Sequence, residues 1–346
     1  MSSWPFPQNF LLEDKLKYAN FLESNLNAEN YGEYFSLLEE CSNMGSEEAI
    51  LKLSEIYLYG DEFTEEDNTA GIETLKVAFS NFKIPNLAYK IGKQFWYKFE
   101  DDSEIEAAKW LKIAADLGHG EACADFAELA KYGWGCEKNL EDAIRYFNLS
   151  ITYGNHSAYS KLAELYLNEF DDLVDQTRAI KPLQEGSLKG NSKCQYIYST
   201  LLYEGKLINK DEKESLMWLT KSAESGFSKA EYFLGIEFLN GSRLEKNIFK
   251  AFEWFETAAN NHYPKAQIMV YSSYLNGSGV EINKTLAFAW LLIAIRNSDE
   301  TKDLRTLLHY LSHSLANTLN KNQIERAQKF RDEFTKNYSF QYKVLE

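Results

Sequence analysis

Residues 226–261 read GFSKAEYFLGIEFLNGSRLEKNIFKAFEWFETAANN. In the first half, Ala230, Leu234, Gly235 and Phe238 fall at offsets of zero, four, five and eight, which places them on one stripe of an α-helix. Gly241 follows, and glycine is the residue that takes the left-handed conformation just past a helix C-terminus. Asn247 is an N-cap for a second helix, in which Ala251, Trp254, Phe255 and Ala258 again keep helical spacing. The stretch is a helical hairpin. Small residues on both helices let the backbones approach, and the rings of Trp and Tyr fill the remaining groove.

This hairpin is one copy among many. Gly118, Gly154, Gly190 and Gly226 recur at intervals of 36 residues, and Ala122, Ala158, Cys194, Ala230 and Ala266 keep the same interval. So do Ala107, Ala143, Ala179, Ser215, Ala251 and Ala287, each followed three residues on by Trp110, Tyr146, Pro182, Trp218, Trp254 and Trp290. A fixed period of this length is the signature of a solenoid, in which one supersecondary unit is stacked and shares a continuous core with its neighbours. Trp218, Trp254 and Trp290 are expected to fill that shared core. Upstream, Ala49, Leu53, Ser54, Tyr57 and Gly60 reproduce the first-helix offsets, and Leu87, Ile91, Gly92 and Phe95 do so after a small slip. Tyr34, Leu37, Cys41 and Gly45 match a second helix, so the segment from Phe10 to Leu26 reads as its degenerate first helix. After Asn297 the period stops, and helices are expected over Thr301 to Leu319 and Asn322 to Asn337, polar enough to cap an exposed solenoid end. The reading is an all-α solenoid of about eight hairpins, with a capping hairpin at 1–45, tandem repeats at 46–298 and capping helices at 299–346.

The pattern Ala-x3-Leu-Gly-x2-Phe-x2-Gly, a short loop, then Ala-x2-Trp-x3-Ala-Ala resembles the SEL-like repeat, a relative of the tetratricopeptide repeat. Gly277-Ser278-Gly279-Val280, followed by Asn283, Ala287, Trp290 and Ala294, is the most faithful copy of its loop, and Gly133-Trp134-Gly135 is a partial one. Glu169 in the loop-glycine position, Pro182 in place of the aromatic and His262 in place of the inter-repeat glycine depart from the pattern while keeping its register. The resemblance implies a right-handed superhelix and protein binding, and it names no partner.

Composition excludes several classes. With 45% hydrophobic residues and 5 prolines the chain buries a core and is not disordered. No run approaches the roughly 18 apolar residues of a membrane span, and Met1 to Phe10 carries neither a basic region nor an apolar core, so no membrane insertion and no secretory leader are expected. Cys41, Cys123, Cys136 and Cys194 lie in different contexts, as free thiols of a cytoplasmic protein do. The net charge of −15 is unevenly spread: residues 1–175 hold 14 Lys and Arg against 33 Asp and Glu, whereas residues 176–346 hold 23 against 19. An acidic half steers a basic protein partner and repels nucleic acid, although clusters such as Glu65-Glu66-Asp67 and Glu100-Asp101-Asp102 also serve solubility.

If offsets zero, four, five and eight of each first helix are buried, offset six turns toward the inner, concave side. It holds Glu55, Lys93, Glu128 and Glu164 in successive repeats, and offset ten at the rim holds Tyr59, Tyr97 and Tyr132. Carboxylates beside tyrosines suit the gripping of Lys- or Arg-rich elements. Tyr196, Tyr232 and Ile236 are the inner positions of the more neutral half. These rings either present themselves to a partner or pack on the neighbouring hairpin.

Signs of catalysis are few. His309 and His313 share a helical face at a spacing used by metal sites, but no third ligand is suitably placed. His119, His156 and His262 fall in inter-repeat turns, there is no phosphate-binding glycine loop, and no serine or cysteine sits in a nucleophile elbow. Neither a cofactor nor a metal is expected. The expected function is non-enzymatic protein binding on an acidic concave face, as an adaptor or scaffold; the alternative is a bacterial immunity protein that blocks a cognate toxin. Oligomeric state stays open.

Overall fold

Helices account for every regular element of the computed structural model, which describes residues 11–97, 102–169, 173–297 and 302–345. The first ten residues, expected to carry no leader, lie outside the described residues, as do Glu100 and Asp101 of the acidic cluster and Thr301 of the cap. The order is α1 (Leu12–Glu23), α2 (Tyr31–Asn43), α3 (Glu47–Tyr59), α4 (Asn68–Phe82), α5 (Pro85–Tyr97), α6 (Ser103–Asp116), α7 (Gly120–Tyr132), α8 (Leu140–Thr152) and α9 (Ala158–Glu169). There follow α10 (Leu173–Gln176), a 3-10 turn at Thr177–Ala179, α11 (Ile180–Leu188), α12 (Ser192–Glu204), α13 (Glu212–Glu224), α14 (Ser228–Asn240), α15 (Ile248–Asn260), α16 (Pro264–Asn276), α17 (Lys284–Asn297), α18 (Lys302–Ala316) and α19 (Lys321–Leu345). Among the described residues there is no strand, so the all-α expectation holds.

The helix ends explain why one sequence period gives one hairpin. Second helices start at a side-chain cap: Asn139, Asp211, Asn247 and Asn283 accept from the N–H groups of Asp142, Glu214, Lys250 and Leu286 at 2.8 to 3.0 Å. These caps satisfy donors that the helix itself leaves open. At the other end, Gly118, Gly154, Gly190 and Gly226 have φ of +92°, +86°, +84° and +80°. Each glycine N–H bonds back three residues, and the N–H after it bonds back five, as in Gly226 to Ala223 at 2.9 Å and Phe227 to Ser222 at 3.2 Å. The four turns are therefore equivalent and closed in the Schellman manner. His262 occupies the same place with φ +61°, a conformation that suits glycine better.

The chain divides into two compact units, Met1–Leu162 and Ala163–Glu346. Within the first, each helix from α1 to α8 packs on the next in sequence; within the second, α11 to α17 do the same, and α18 and α19 both lie on α17. The first unit opens on a core of Ala19, Leu22, Tyr34, Leu38, Cys41 and Ala49. The second closes on one in which Phe255, Val270, Trp290, Leu308 and Ala327 are buried together.

Three details differ from the sequence reading. Trp290 and Trp218 are buried, but Trp254 is only half-buried and packs at the edge of a small cluster of Leu219, Ala223, Ala230 and Leu234. Its neighbour Phe255 takes the core position that the spacing assigned to both. The copy containing Pro182 has a second helix of only 9 residues, α11, preceded by a 3-10 turn, because proline cannot donate into a helix ladder. Finally, α19 runs to Leu345, 25 residues in all, well past the expected end at Asn337.

Candidate partner-binding face

On the first helices, the residue at offset six meets a residue at offset three of the following first helix, and the two are oppositely charged. Glu55 of α3 pairs with Lys90 of α5 at 3.4 Å, Lys93 of α5 with Asp125 of α7 at 3.2 Å, and Glu128 of α7 with Lys161 of α9 at 3.6 Å. In the second unit Glu164 of α9 departs from this rule and pairs with Lys193, one residue before the zero position Cys194 of α12, at 2.8 Å. The offset-six residues Glu55, Lys93, Glu128 and Glu164 are thus rungs of an ion-pair ladder. Such solvent-exposed pairs contribute only about 0–1 kcal/mol each, so an incoming cation exchanges with a lysine at little cost. Lys93 is the best-held rung. Burial pulls its ammonium pKa down, yet the Asp125 carboxylate and the Tyr97 hydroxyl together outweigh burial and hold it above the ordinary lysine value.

The rim tyrosines of the first unit are exposed, and each has a fixed neighbour. Tyr59 is 66% exposed and its hydroxyl accepts from Gln94 Nε2 at 2.9 Å. The Lys93 ammonium lies 5.3 Å from the Tyr97 ring centre. Tyr132 stacks on Trp134 with centroids 4.5 Å apart, and Trp134 in turn lies 5.8 Å from Trp96. Between Trp96 and Trp134 opens a cleft of about 190 Å³, floored by Leu111 and Leu129 and edged by Lys93, Asp125 and Glu128.

In the second unit the inner rings pack on one another instead. Tyr196 stacks on Phe233 at 5.9 Å and carries the Lys229 ammonium 5.0 Å from its ring; burial raises its hydroxyl pKa. Tyr232 touches Phe233, Phe255 and Tyr263 with centroids 5.3, 5.8 and 5.2 Å away. Ile236 is half-buried against the same cluster. Of the nine residues singled out, Glu55, Tyr59, Lys93, Tyr97, Glu128 and Tyr132 follow one another along the first unit, while in the second Glu164 pairs with Lys193 and Tyr196 and Tyr232 are joined through Phe233.

Phase alone missed Asp125, Trp96 and Trp134. Asp125 was legible, since Lys90, Asp125 and Lys161 sit at offset three with signs opposite to Glu55, Lys93 and Glu128. Trp134 was legible as an unusual loop residue, because the next copies place Phe170, Lys206, Ser242 and Ser278 at the same position, three of the four without a ring.

The histidines serve structure. His119 caps α7, its Nδ1 accepting from the Ala122 N–H at 3.2 Å while its ring stacks on Tyr89 at 4.3 Å, and burial lowers its pKa so that the accepting neutral form persists. His262 packs on Phe334 of α19 with centroids 4.8 Å apart. His309 and His313 are both exposed on α18. Cys41, Cys123 and Cys194 are free and buried, and burial pushes the Cys123 and Cys194 thiols up to about 11 and about 12. Among the described residues, no group of three His, Cys, Asp or Glu is placed to hold a metal ion, and no helix is long and apolar enough to cross a membrane.

The Sel1 repeat model matches residues 47–73, 88–119, 120–152, 192–227, 228–263 and 266–299, more than half of the chain. The interval it skips, between 152 and 192, is the copy in which Glu169 and Pro182 depart from the pattern. Among solved structures, a Sel1 repeat protein from Oxalobacter formigenes is similar at 21% identity over 87% of this chain and 86% of its own, with a TM-score of 0.70. A protective antigen of uropathogenic Escherichia coli with an SLR fold, c5321, is similar at 18% identity over 95% and 77%, with a TM-score of 0.51. Immunity protein Pa5087 from Pseudomonas aeruginosa aligns at 14% identity over 67% and 81%, with a TM-score of 0.40. A comparison with curated proteins gave no match. Sel1 repeat proteins typically mediate protein–protein interaction, and repeats, turns and fold together make this chain a member of the Sel1 repeat family.

Proposed function

We propose that this chain is a non-enzymatic docking scaffold whose first unit receives a basic surface of a protein partner. The observation that carries the reading is the run of exposed rings, Tyr59, Tyr97, Tyr132 and Trp134, set beside carboxylates that are held only by exchangeable lysines. Tyrosine and tryptophan are the residue types that dominate binding energy at interfaces. Residues 1–162 hold 28 Asp and Glu against 14 Lys and Arg, a field that accelerates encounter with a basic protein and disfavours nucleic acid. The buried free thiols fit a reducing compartment, and we place the protein in the cytoplasm on that ground.

Affinity capture with the folded chain from its native cell, at low and at moderate salt, tests the reading. A partner with a basic docking surface, whose capture weakens with salt and fails when Tyr97 and Tyr132 are both replaced by Ala, is the expected result. Capture indifferent to salt and to both rings would overturn it. A tight one-to-one complex that abolishes an activity of the partner would make the scaffold a dedicated antagonist of the immunity-protein kind.

A further inference from the structure

The cleft between Trp96 and Trp134 holds features that the repeat itself does not require. The following copies place Phe170, Lys206, Ser242 and Ser278 where this loop places Trp134, so no turn geometry demands an indole there. Trp134 is nevertheless 45% exposed, and Tyr132 backs it by stacking with planes 24° apart. The two indoles are inclined at 40°, an open V rather than a closed stack. Leaving nearly half of a large ring in water forgoes part of the stabilisation that burial would give it, so packing on Tyr132 and Trp96 does not account for the exposed face.

The polar edge selects what enters. Asp125 and Glu128 offer carboxylates, whereas the one cation on the edge among the described residues, Lys93, is committed to Asp125 and to the Tyr97 ring. An anion would meet two carboxylates and the negative faces of two indoles. A cation is attracted by all four. Between the two cationic side chains, arginine fits better: its guanidinium is planar, weakly hydrated and stacks on indole, and its forked donors match a carboxylate such as Glu128, whose present partner Lys161 stands 3.6 Å away.

We propose that this cleft is a receptor for a single arginine side chain of a protein partner, packed in the mouth of the V against the indoles of Trp96 and Trp134 and hydrogen-bonded to Glu128. The proposal rests on the reading of a basic partner and goes beyond it by naming the side chain and its seat. The indole N–H signals of Trp96 and Trp134, followed by NMR during titration with the blocked tripeptide Gly-Arg-Gly, should shift saturably. Gly-Lys-Gly should bind several-fold more weakly, and Gly-Glu-Gly should leave both signals in place. W134S, which installs the serine of two sibling loops, should weaken arginine binding at least tenfold at the Trp96 signal while leaving the melting curve unchanged, and E128Q should weaken it several-fold. Equal shifts from the glutamate peptide, or undiminished binding in W134S, would overturn the proposal. Capture of the cellular partner separates it from the broader reading. Capture that survives W134S but fails without Tyr97 and Tyr132 removes the arginine seat and keeps the basic partner. Capture indifferent to all of these changes removes both.

Discussion

Glu231 carries a carboxylate where the repeats on either side carry an amide. Gln195 and Gln267 donate through Nε2 to the carbonyls of Ser187 and Ala259, eight residues back, at 3.1 and 3.3 Å. Glu231, 1% exposed, accepts from Asn261 Nδ2 through both oxygens at 2.9 and 3.0 Å, and when ionised it has no proton to give to Ala223 at the corresponding place. Burial raises its pKa, against a lowering by Asn261. Protonation therefore favours the folded state: the stabilising contribution is fully present below the ordinary glutamate pKa and is lost as pH rises through the raised one. Glu231→Gln should raise the stability at neutral pH by about 1 kcal/mol, the worth of one buried hydrogen bond, and urea midpoints measured from pH 4 to 8 should fall less with rising pH than in the wild type. A second residue-scale contrast sits at two glycines of positive φ. A Cβ at Gly279 would collide with the Ile248 carbonyl oxygen and stand 2.9 Å from Phe252 Cβ, whereas at Gly226 nothing lies within 4 Å. Gly226→Ala should cost only the left-handed backbone penalty of about 1–2 kcal/mol. Gly279→Ala adds overpacking and should cost about 2–5 kcal/mol, a ranking that paired thermal melts of the two variants check.

Helix α17 is where the array stops and a different element takes over. Trp290, 3% exposed, meets Phe330 and Phe334 of α19 with centroids 5.8 and 5.3 Å away, so the aromatic slot of the last repeat is closed by the capping helix. Trp254, one repeat earlier, has a side open beside Leu244 and Lys250. Trp290→Ala should therefore cost about 3–5 kcal/mol, as for emptying a core aromatic site, and should raise amide exchange in α19. Trp254→Ala should cost clearly less, and equal losses would show that the two slots are alike after all. The difference marks the limit of what the sequence made legible. Caps, turns and helix order follow from local spacing, and Asn247, Gly241 and the four inter-repeat glycines behave as their positions demand. Which of two adjacent rings, Trp254 or Phe255, takes the centre of the core depends on a fraction of a helical turn, and which charge answers Glu55 or Glu128 depends on a helix some 36 residues away. Sequence phase resolves the face of a helix. Opposite signs at offset three made Lys90, Asp125 and Lys161 legible as candidates, but phase alone does not resolve which side chain crosses the groove, as Lys193, off that offset, shows for Glu164.

Charge acts at the scale of the whole molecule. Residues 163–346 hold 24 Asp and Glu against 23 Lys and Arg, so nearly all of the net −15 comes from the first 162 residues. Ion pairs leave that field standing, because each pair cancels at a distance and the field is set by the excess acids, Glu62, Glu65 and Glu66 among them, which lie exposed in the loop before α4. Steering by such a field is screened over about 8 Å at physiological ionic strength, and it appears in association rate more than in residence time. Replacing Glu55, Glu62 and Glu128 by Gln removes three carboxylates of the first unit without pressing a new ammonium against Lys90 or Lys161, as reversal to Lys would. Glu231 is unsuited to a control set because it is buried; Glu245, Glu253 and Glu281 are exposed and lie in the balanced unit. With the captured partner, the first triple variant should associate several-fold more slowly at low salt and show a shallower salt dependence, whereas the second should follow the wild type. Stopped-flow association at two salt concentrations separates them. Equal behaviour of the two triples would mean that the acidic excess serves solubility, and would move the docking surface to Tyr196, Tyr232 and Phe233, where rings rather than charges line the first helices.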